Sequence, residues 1–296
     1  MKDSAVLLID CPDQKGLVAR VSSLLYRHGA NILHADQHQD HELGLFFMRV
    51  EWALNGASND SSAPAAGSKP FDLKAFEAEF APLAAELKMR WQLTSSDRLP
   101  RVALFCSQYL HCMADLLYRW RTGELECEIP LIVTNHHEVE SLAAFYGIPF
   151  HHIPADAANR AAAETRQVAL IGEHAVELIV LARYMQVLSP AFVARYPAAI
   201  INVHHSFLPA FTGARPYHAA HARGVKLIGA TSHYVTEALD DGPIIEQDVA
   251  RVSHRDQVED LVARGRDLER MVLSRAVRWH LDRRILCYGN KTVVFD

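Results

Sequence analysis

Beyond residue 100 the chain repeats one pattern, a short apolar run followed by a helix-patterned segment. "RVALFCS" precedes a helix over 110–121, "IPLIVTN" a helix over 138–146, and "PFHHIP" a helix over 157–171; "VELIVLA" and "AAIINVHHS" complete the set. An unbroken apolar run is buried on both faces, and amphipathic helices between such runs supply the cover. The pattern predicts an α/β fold built on a mostly parallel sheet with helices on both faces. A long helix over 255–282 follows, and "ILCYGNKTVVF" reads as a hairpin turning at Gly289-Asn290.

The first ninety or so residues obey a different rule. "AVLLIDC" is a strand, and "GLVARVSSLLYRHG" carries a helical stripe of Leu17, Val18, Val21, Leu24 and Leu25 closed by Gly29. "ANILHADQHQ" and "LGLFFMRVEWAL" are two more strands, "DLKAFEAEFAPLAAELK" a second amphipathic helix, and "MRWQLTSS" a last strand. The order βαββαβ is the ferredoxin-like split βαβ arrangement. Its interruption, "NGASNDSSAPAAGSKP", is too polar to order itself, which predicts a flexible loop over 55–69. "SSDRLP" is a linker, so one domain is expected over 1–95 and a second over 100–296.

Charge and cysteine usage narrow the function. A formal charge of −5 offers no general attraction to nucleic acid or an anionic membrane, and no apolar run approaches a bilayer span. The start, "MKDSAVLLIDCPDQ", meets Asp10 and Asp13 too soon for a signal peptide. Five scattered cysteines without a CxxC fit reduced thiols in a cytoplasm better than a disulfide frame. Seventeen histidines include three His-His pairs but no HExxH, so no metal is expected. The first strand-helix junction of the second domain, "FCSQYLHCMADLL", contains no glycine, a poor setting for a nucleotide or a phosphorylated ligand.

Chemistry concentrates in "NVHHSFLPAF", residues 202–211. Asn202, His204 and Ser206 alternate where an apolar strand gives way to a loop, so their side chains share one face at a carboxyl strand end. Later, "GATSHYVTEALDDGPII" puts Thr231, His233 and Val235 on one face of a strand and Asp240-Asp241-Gly242 in the turn after it. An Asp-Gly turn can have ordinary backbone reasons. If it packs against the strand end, however, a carboxylate joins a histidine and a carboxamide in one small volume, enough for a proton shuttle and two donors.

Together these motifs resemble the folate-dependent formyltransferase and formyl hydrolase family, whose pattern is Asn-x-His-x-Ser-x-Leu-Pro followed by an Asp in a D-x-G turn. The resemblance covers most of 100–282 and implies a Rossmann-like formyltransferase domain with Asn202, His204 and Asp240 as catalytic residues. "LARYMQVLSPAFV" resembles the family's folate-binding strand and loop, implying that Met185, Gln186, Val187 and Leu188 line the pterin pocket. Ser206 and His233 are further candidates for substrate contact; His233 could instead orient Asp240. His205 and His218 read as surface or pocket-wall histidines, and Tyr217 as a residue that closes the site.

The amino-terminal unit, with "CPDQKGLVARVSSLL", resembles an ACT domain, a combination carried by the formyltetrahydrofolate deformylases. "SQYLHC" stands where a ribonucleotide-using transferase would carry a glycine-rich phosphate loop. The resemblance implies hydrolysis of 10-formyltetrahydrofolate to formate and tetrahydrofolate, supplying formate for purine biosynthesis and balancing folate pools, with no cofactor. It also implies a homo-oligomer, dimer or tetramer, and an amino-acid effector such as glycine or methionine held by Asp13, Gln14, Lys15 and Gly16 with Asn31 and Ile32. Formyl transfer to an amine, or a non-catalytic amino-acid sensor, are the alternatives.

Overall fold

A computed structural model describes residues 3–55, 70–156, 158–209 and 216–296. Apart from Asn55, the expected loop over 55–69 lies outside the described residues. The chain divides into two compact units: Met1–Arg98 with Arg283–Leu286 and Val293–Asp296, and Leu99–Asp282 with Cys287–Thr292. The terminal segment expected wholly in the second domain is thus shared between the two units.

The first unit runs β1 (Ser4–Pro12), α1 (Leu17–Arg27), β2 (Asn31–Asp40), β3 (Leu45–Ala53), α2 (Leu73–Glu86) and β4 (Arg90–Ser95). Its sheet has the order β2-β3-β1-β4, with antiparallel pairing throughout. The helical stripe buries Leu17, Val21, Leu24 and Leu25 against β1 and β3, while Phe76 and Phe80 of α2 stack beside Trp52. Asp72 caps α2 by accepting from the Ala75 N–H at 3.0 Å, as a short acceptor before a helix should. β2 is an edge strand, and none of its residues is buried.

In the second unit come β5 (Arg101–Cys106), α3 (His111–Arg121), β6 (Glu128–Thr134), α4 (Glu140–Tyr146), β7 (Phe150–His152), α5 (Arg160–Glu173) and β8 (Leu178–Leu181). Next are α6 (Pro190–Val193), β9 (Ile200–His204), α7 (Pro216–Arg223), β10 (Leu227–Tyr234), β11 (Ile244–Arg251) and α8 (Val258–Leu281). The hairpin of β12 (Ile285–Tyr288) and β13 (Lys291–Val294) closes the chain. The sheet order is β11-β10-β9-β8-β5-β6-β7. β7, β6, β5, β8 and β9 run parallel; β10 is antiparallel to both its neighbours. Buried on both sides, β5, β6 and β8 show the continuous apolar runs that a covered parallel sheet requires. α8 begins at a capping box between Gln257 and Asp260 and buries a stripe from Leu261 to Val277.

Candidate active site

Asn202 and His204 stand two residues apart on β9, so the strand's period of two turns both side chains to one face. Antiparallel β10 sets His233 directly opposite Asn202 and Thr231 opposite His204. Behind His204 the chain turns through Ser206, which is buried and whose carbonyl accepts from the Thr231 hydroxyl at 2.9 Å. The Asp turn reaches this face because Gly242 has no side chain: a Cβ there would lie 1.7 Å from the Tyr234 carbonyl oxygen. Asp240 adopts φ +54°, a left-handed conformation that aspartate tolerates better than most residues.

The polar groups form one chain. His204 Nδ1 lies 3.2 Å from Asp240 Oδ2, and His233 Nε2 lies 3.8 Å from Asp240 Oδ1. His233 Nδ1 is 2.9 Å from the Tyr234 carbonyl oxygen, which can only accept, so Nδ1 carries the proton. Burial holds His233 below its ordinary pKa, which leaves Nε2 to accept from Asn202 Nδ2 at 3.3 Å. Asn202 Nδ2 carries a second amide hydrogen besides the one given to His233. The hydrogen bond from His204 holds the Asp240 carboxyl below its usual range, so the group is ionised at neutral pH. His204 Nε2 is buried and makes no hydrogen bond among the described residues. An ionised carboxylate, an amide donor and an unspent imidazole nitrogen can serve a carbonyl that gains negative charge while a proton moves.

Beside this face, the segment after β8 is tied down at both ends. Ser107, at the end of β5, accepts from the Met185 N–H at 2.9 Å and donates its own N–H to the Arg183 carbonyl at 3.2 Å. Glu164 accepts from the Ser189 N–H at 2.7 Å and from its hydroxyl at 2.5 Å. Between these anchors Met185 and Val187 are 46% and 49% exposed, an apolar pair facing outward on a clamped loop.

A family profile described as formyl transferase matches residues 100–277, and one described as ACT domain matches residues 5–51. The formyltetrahydrofolate deformylase of Synechocystis sp. is 53% identical over 99% of this chain and 98% of that protein. A solved formyltetrahydrofolate deformylase from Pseudomonas syringae is 47% identical and superposes with a TM-score of 0.93 over 100% of this chain and 95% of the other. The chain belongs to the formyltetrahydrofolate deformylase family. A solved glycinamide ribonucleotide transformylase from Symbiobacterium toebii covers only 69% of this chain, at 27% identity and a TM-score of 0.63.

Within this deformylase-family chain, Asn202, His204 and Asp240 come together. Met185, Gln186, Val187 and Leu188 share the clamped loop, with Leu188 partly buried against the core. His233, read from sequence as a substrate contact or as the residue that orients Asp240, is 2% exposed and stands behind Asn202 and Asp240, with both ring nitrogens within reach of protein partners. His205 is no surface histidine. It is 8% exposed, and burial together with the Arg183 charge pulls its pKa down to about 4. His218 is exposed, whereas Tyr217 is buried and donates its hydroxyl to Glu269 Oε1 at 2.7 Å.

The expected effector set divides. Asp13, Gln14 and Gly16 line one concavity with Gln37, His38 and Gln39, while Asn31 and Ile32 line another with Ser22, Ser23 and Tyr26. α1 explains the split: its 11 residues carry the chain about 16 Å from Gly16 before β2 begins.

Sequence reasoning missed a buried carboxylate. Glu269, on the apolar stripe of α8, is 1% exposed and lies 2.8 Å from His111 Nε2 and 3.4 Å from Arg183 Nε. Burial alone would raise its pKa; the His111 hydrogen bond and the Arg183 charge outweigh it and hold the carboxyl low. An acidic residue between Leu268 and Val272 on a buried stripe was the available signal. His111, Cys112 and Glu269 also come within metal-ligating reach of one another. The same Glu269 oxygen already meets His111 and the Arg183 guanidinium, a fixed positive charge that a cation would have to displace.

Proposed function

We propose that the protein hydrolyses 10-formyltetrahydrofolate to formate and tetrahydrofolate, with water as the acceptor and no cofactor or metal. The observation that carries this reading is the convergence of ionised Asp240 with His204 and Asn202 at the end of β9. The folate ring system rests on the loop of Met185, Gln186, Val187 and Leu188, and the formyl group meets the polar face. Water adds to the formyl carbon, and the developing oxyanion takes hydrogen bonds from Asn202 Nδ2 and from protonated His204 through Nε2. A preorganised donor of this kind contributes about 3 kcal/mol to the transition state. Asp240 orients the water and passes its proton onward. Because its carboxyl is held low, the proton does not rest there but ends on N10 as the C–N10 bond breaks. The acid formed releases its own proton to leave formate.

The test is turnover with 10-formyltetrahydrofolate and no amine present. Formate and tetrahydrofolate should appear in equal amounts, and Asp240→Asn should lower kcat about a thousandfold without loss of fold. An Asn variant of near-natural activity would remove Asp240 from this role.

In the cell we assign the enzyme to the cytoplasm, where it supplies formate for purine synthesis and works as a homo-oligomer, dimer or tetramer. The ACT unit binds an amino acid, glycine or methionine, in the concavity of Asp13, Gln14, Gly16 and Gln37–Gln39. Lys15 is exposed beside it. Regulation requires unequal binding to active and inactive states. Glycine or methionine should therefore shift both the melting temperature and kcat/KM of the full-length protein; neither changing would sink the proposal.

A further inference from the structure

The sheet has a topological switch point between β5 and β8. From β5 the chain steps outward to β6 and β7, then crosses back to lay β8 along the other side of β5. Ligands of open α/β sheets enter the crevice above the carboxyl strand ends at such a point. Here side chains occupy it in layers. Glu269 lies deepest, 1% exposed, accepting from Tyr217 and paired with His111. The Arg183 guanidinium comes next, 3.4 Å from Glu269, its Nε buried and making no hydrogen bond among the described residues. Outermost is the Tyr109 ring, whose centroid lies 5.2 Å from the guanidinium carbon and which is 36% exposed. Arg183 reaches this place from φ +63°, a region that residues other than glycine rarely adopt. An observed backbone outlier at a ligand crevice calls for a functional reason.

We propose that the Tyr109–Arg183–Glu269 stack is a plug that makes water, rather than an amine, the acceptor of the formyl group. The inference rests on the hydrolase reading above and names what sets its acceptor. The plug adjoins the reacting groups: the Arg183 charge acts on His205, whose ring lies 5.1 Å from that of His204. An amine entering over β5 and β8 would approach His204 by way of His205, and the stack fills that route. An anionic acceptor would also find Arg183 already paired with Glu269, and a strand-helix junction with no glycine to cradle it. Formyl transfer itself would need nothing more than access. The amine nitrogen bonds the formyl carbon, the C–N10 bond breaks, and the proton lost by the amine ends on N10.

The experiment uses the full-length protein, 10-formyltetrahydrofolate and glycinamide, a small neutral amine, at high concentration. N-formylglycinamide and formate are quantified together. The natural protein should release formate with no N-formylglycinamide above the uncatalysed background. Tyr109→Ala should still release formate, with the ratio of N-formylglycinamide to formate raised at least about tenfold. Tyr109→Phe keeps a ring over Arg183 and should keep the natural ratio. The plug is overturned by an Ala variant that hydrolyses at an unchanged ratio, or by a Phe variant that transfers as freely as Ala. It is equally overturned by an Ala variant that releases no formate, which would make the ring part of the hydrolytic machinery. Absence of formate from the natural protein, assayed first, would instead remove the hydrolase reading beneath it.

Discussion

His205 shows how far one residue's environment departs from what its neighbours in the chain suggest. In "NVHHSF" it is the histidine off the catalytic face, yet it is buried between the His204 ring and the Tyr217 ring. Its pKa falls from 6.5 to about 4. Between those values the unfolded chain carries a proton on His205 that the folded chain refuses. Stability therefore declines as pH falls across that window and levels off below it. The shift corresponds to about 3 kcal/mol. Urea unfolding at pH 7 and pH 4 should show the natural protein losing about that much more than His205→Asn; equal losses would contradict the assignment. Asn202, His204 and Asp240 were expected together because their motifs resemble the family's pattern, and β9 and the Asp turn do bring the three together. The reach of His233 to Asp240 was already an option in the sequence, but its contact with Asn202 was not, since it depends on the antiparallel register that sets the two opposite each other. Arg183 and Glu269 were also out of reach, because 86 residues of chain separate a pair that meets only after α8 packs.

Several elements matched expectation closely: α3, α4, β5, β6 and β9 fall within a residue or two of the segments that announce them. α6, with 4 residues, is too short for a helical stripe to show, and α7, "PYHAAHAR", carries no stripe of large apolar residues. α7 is instead fixed by packing. Its Tyr217 ring lies flush on Gly265 of α8, where an added Cβ would sit 2.1 Å from the ring, while the Tyr217 hydroxyl is held by Glu269. Alanine would gain about 1 kcal/mol of helix propensity over glycine. The overlap with an anchored ring outweighs that gain, since overpacking costs about 1–3 kcal/mol even at milder sites. Gly265→Ala should therefore lower the melting temperature and move Tyr217. A variant more stable than the natural protein would mean that the two helices do not meet as described.

At the scale of the whole molecule, the chain forms two units, and each was announced differently. The split βαβ order and the alternating α/β order were visible in the hydrophobic pattern, whereas the division of the terminal hairpin between units was not, because four-residue strands carry no address. Full-length similarity to deformylases, against partial similarity to a ribonucleotide transformylase, matches a chain that pairs an ACT unit with a formyltransferase-like unit. Water is the nucleophile proposed at the face of Asn202, His204 and Asp240. A single turnover in water labelled with oxygen-18 tests it most directly. Formate should carry one solvent oxygen for each tetrahydrofolate formed; unlabelled formate, or tetrahydrofolate formed without formate, would rule water out as the nucleophile.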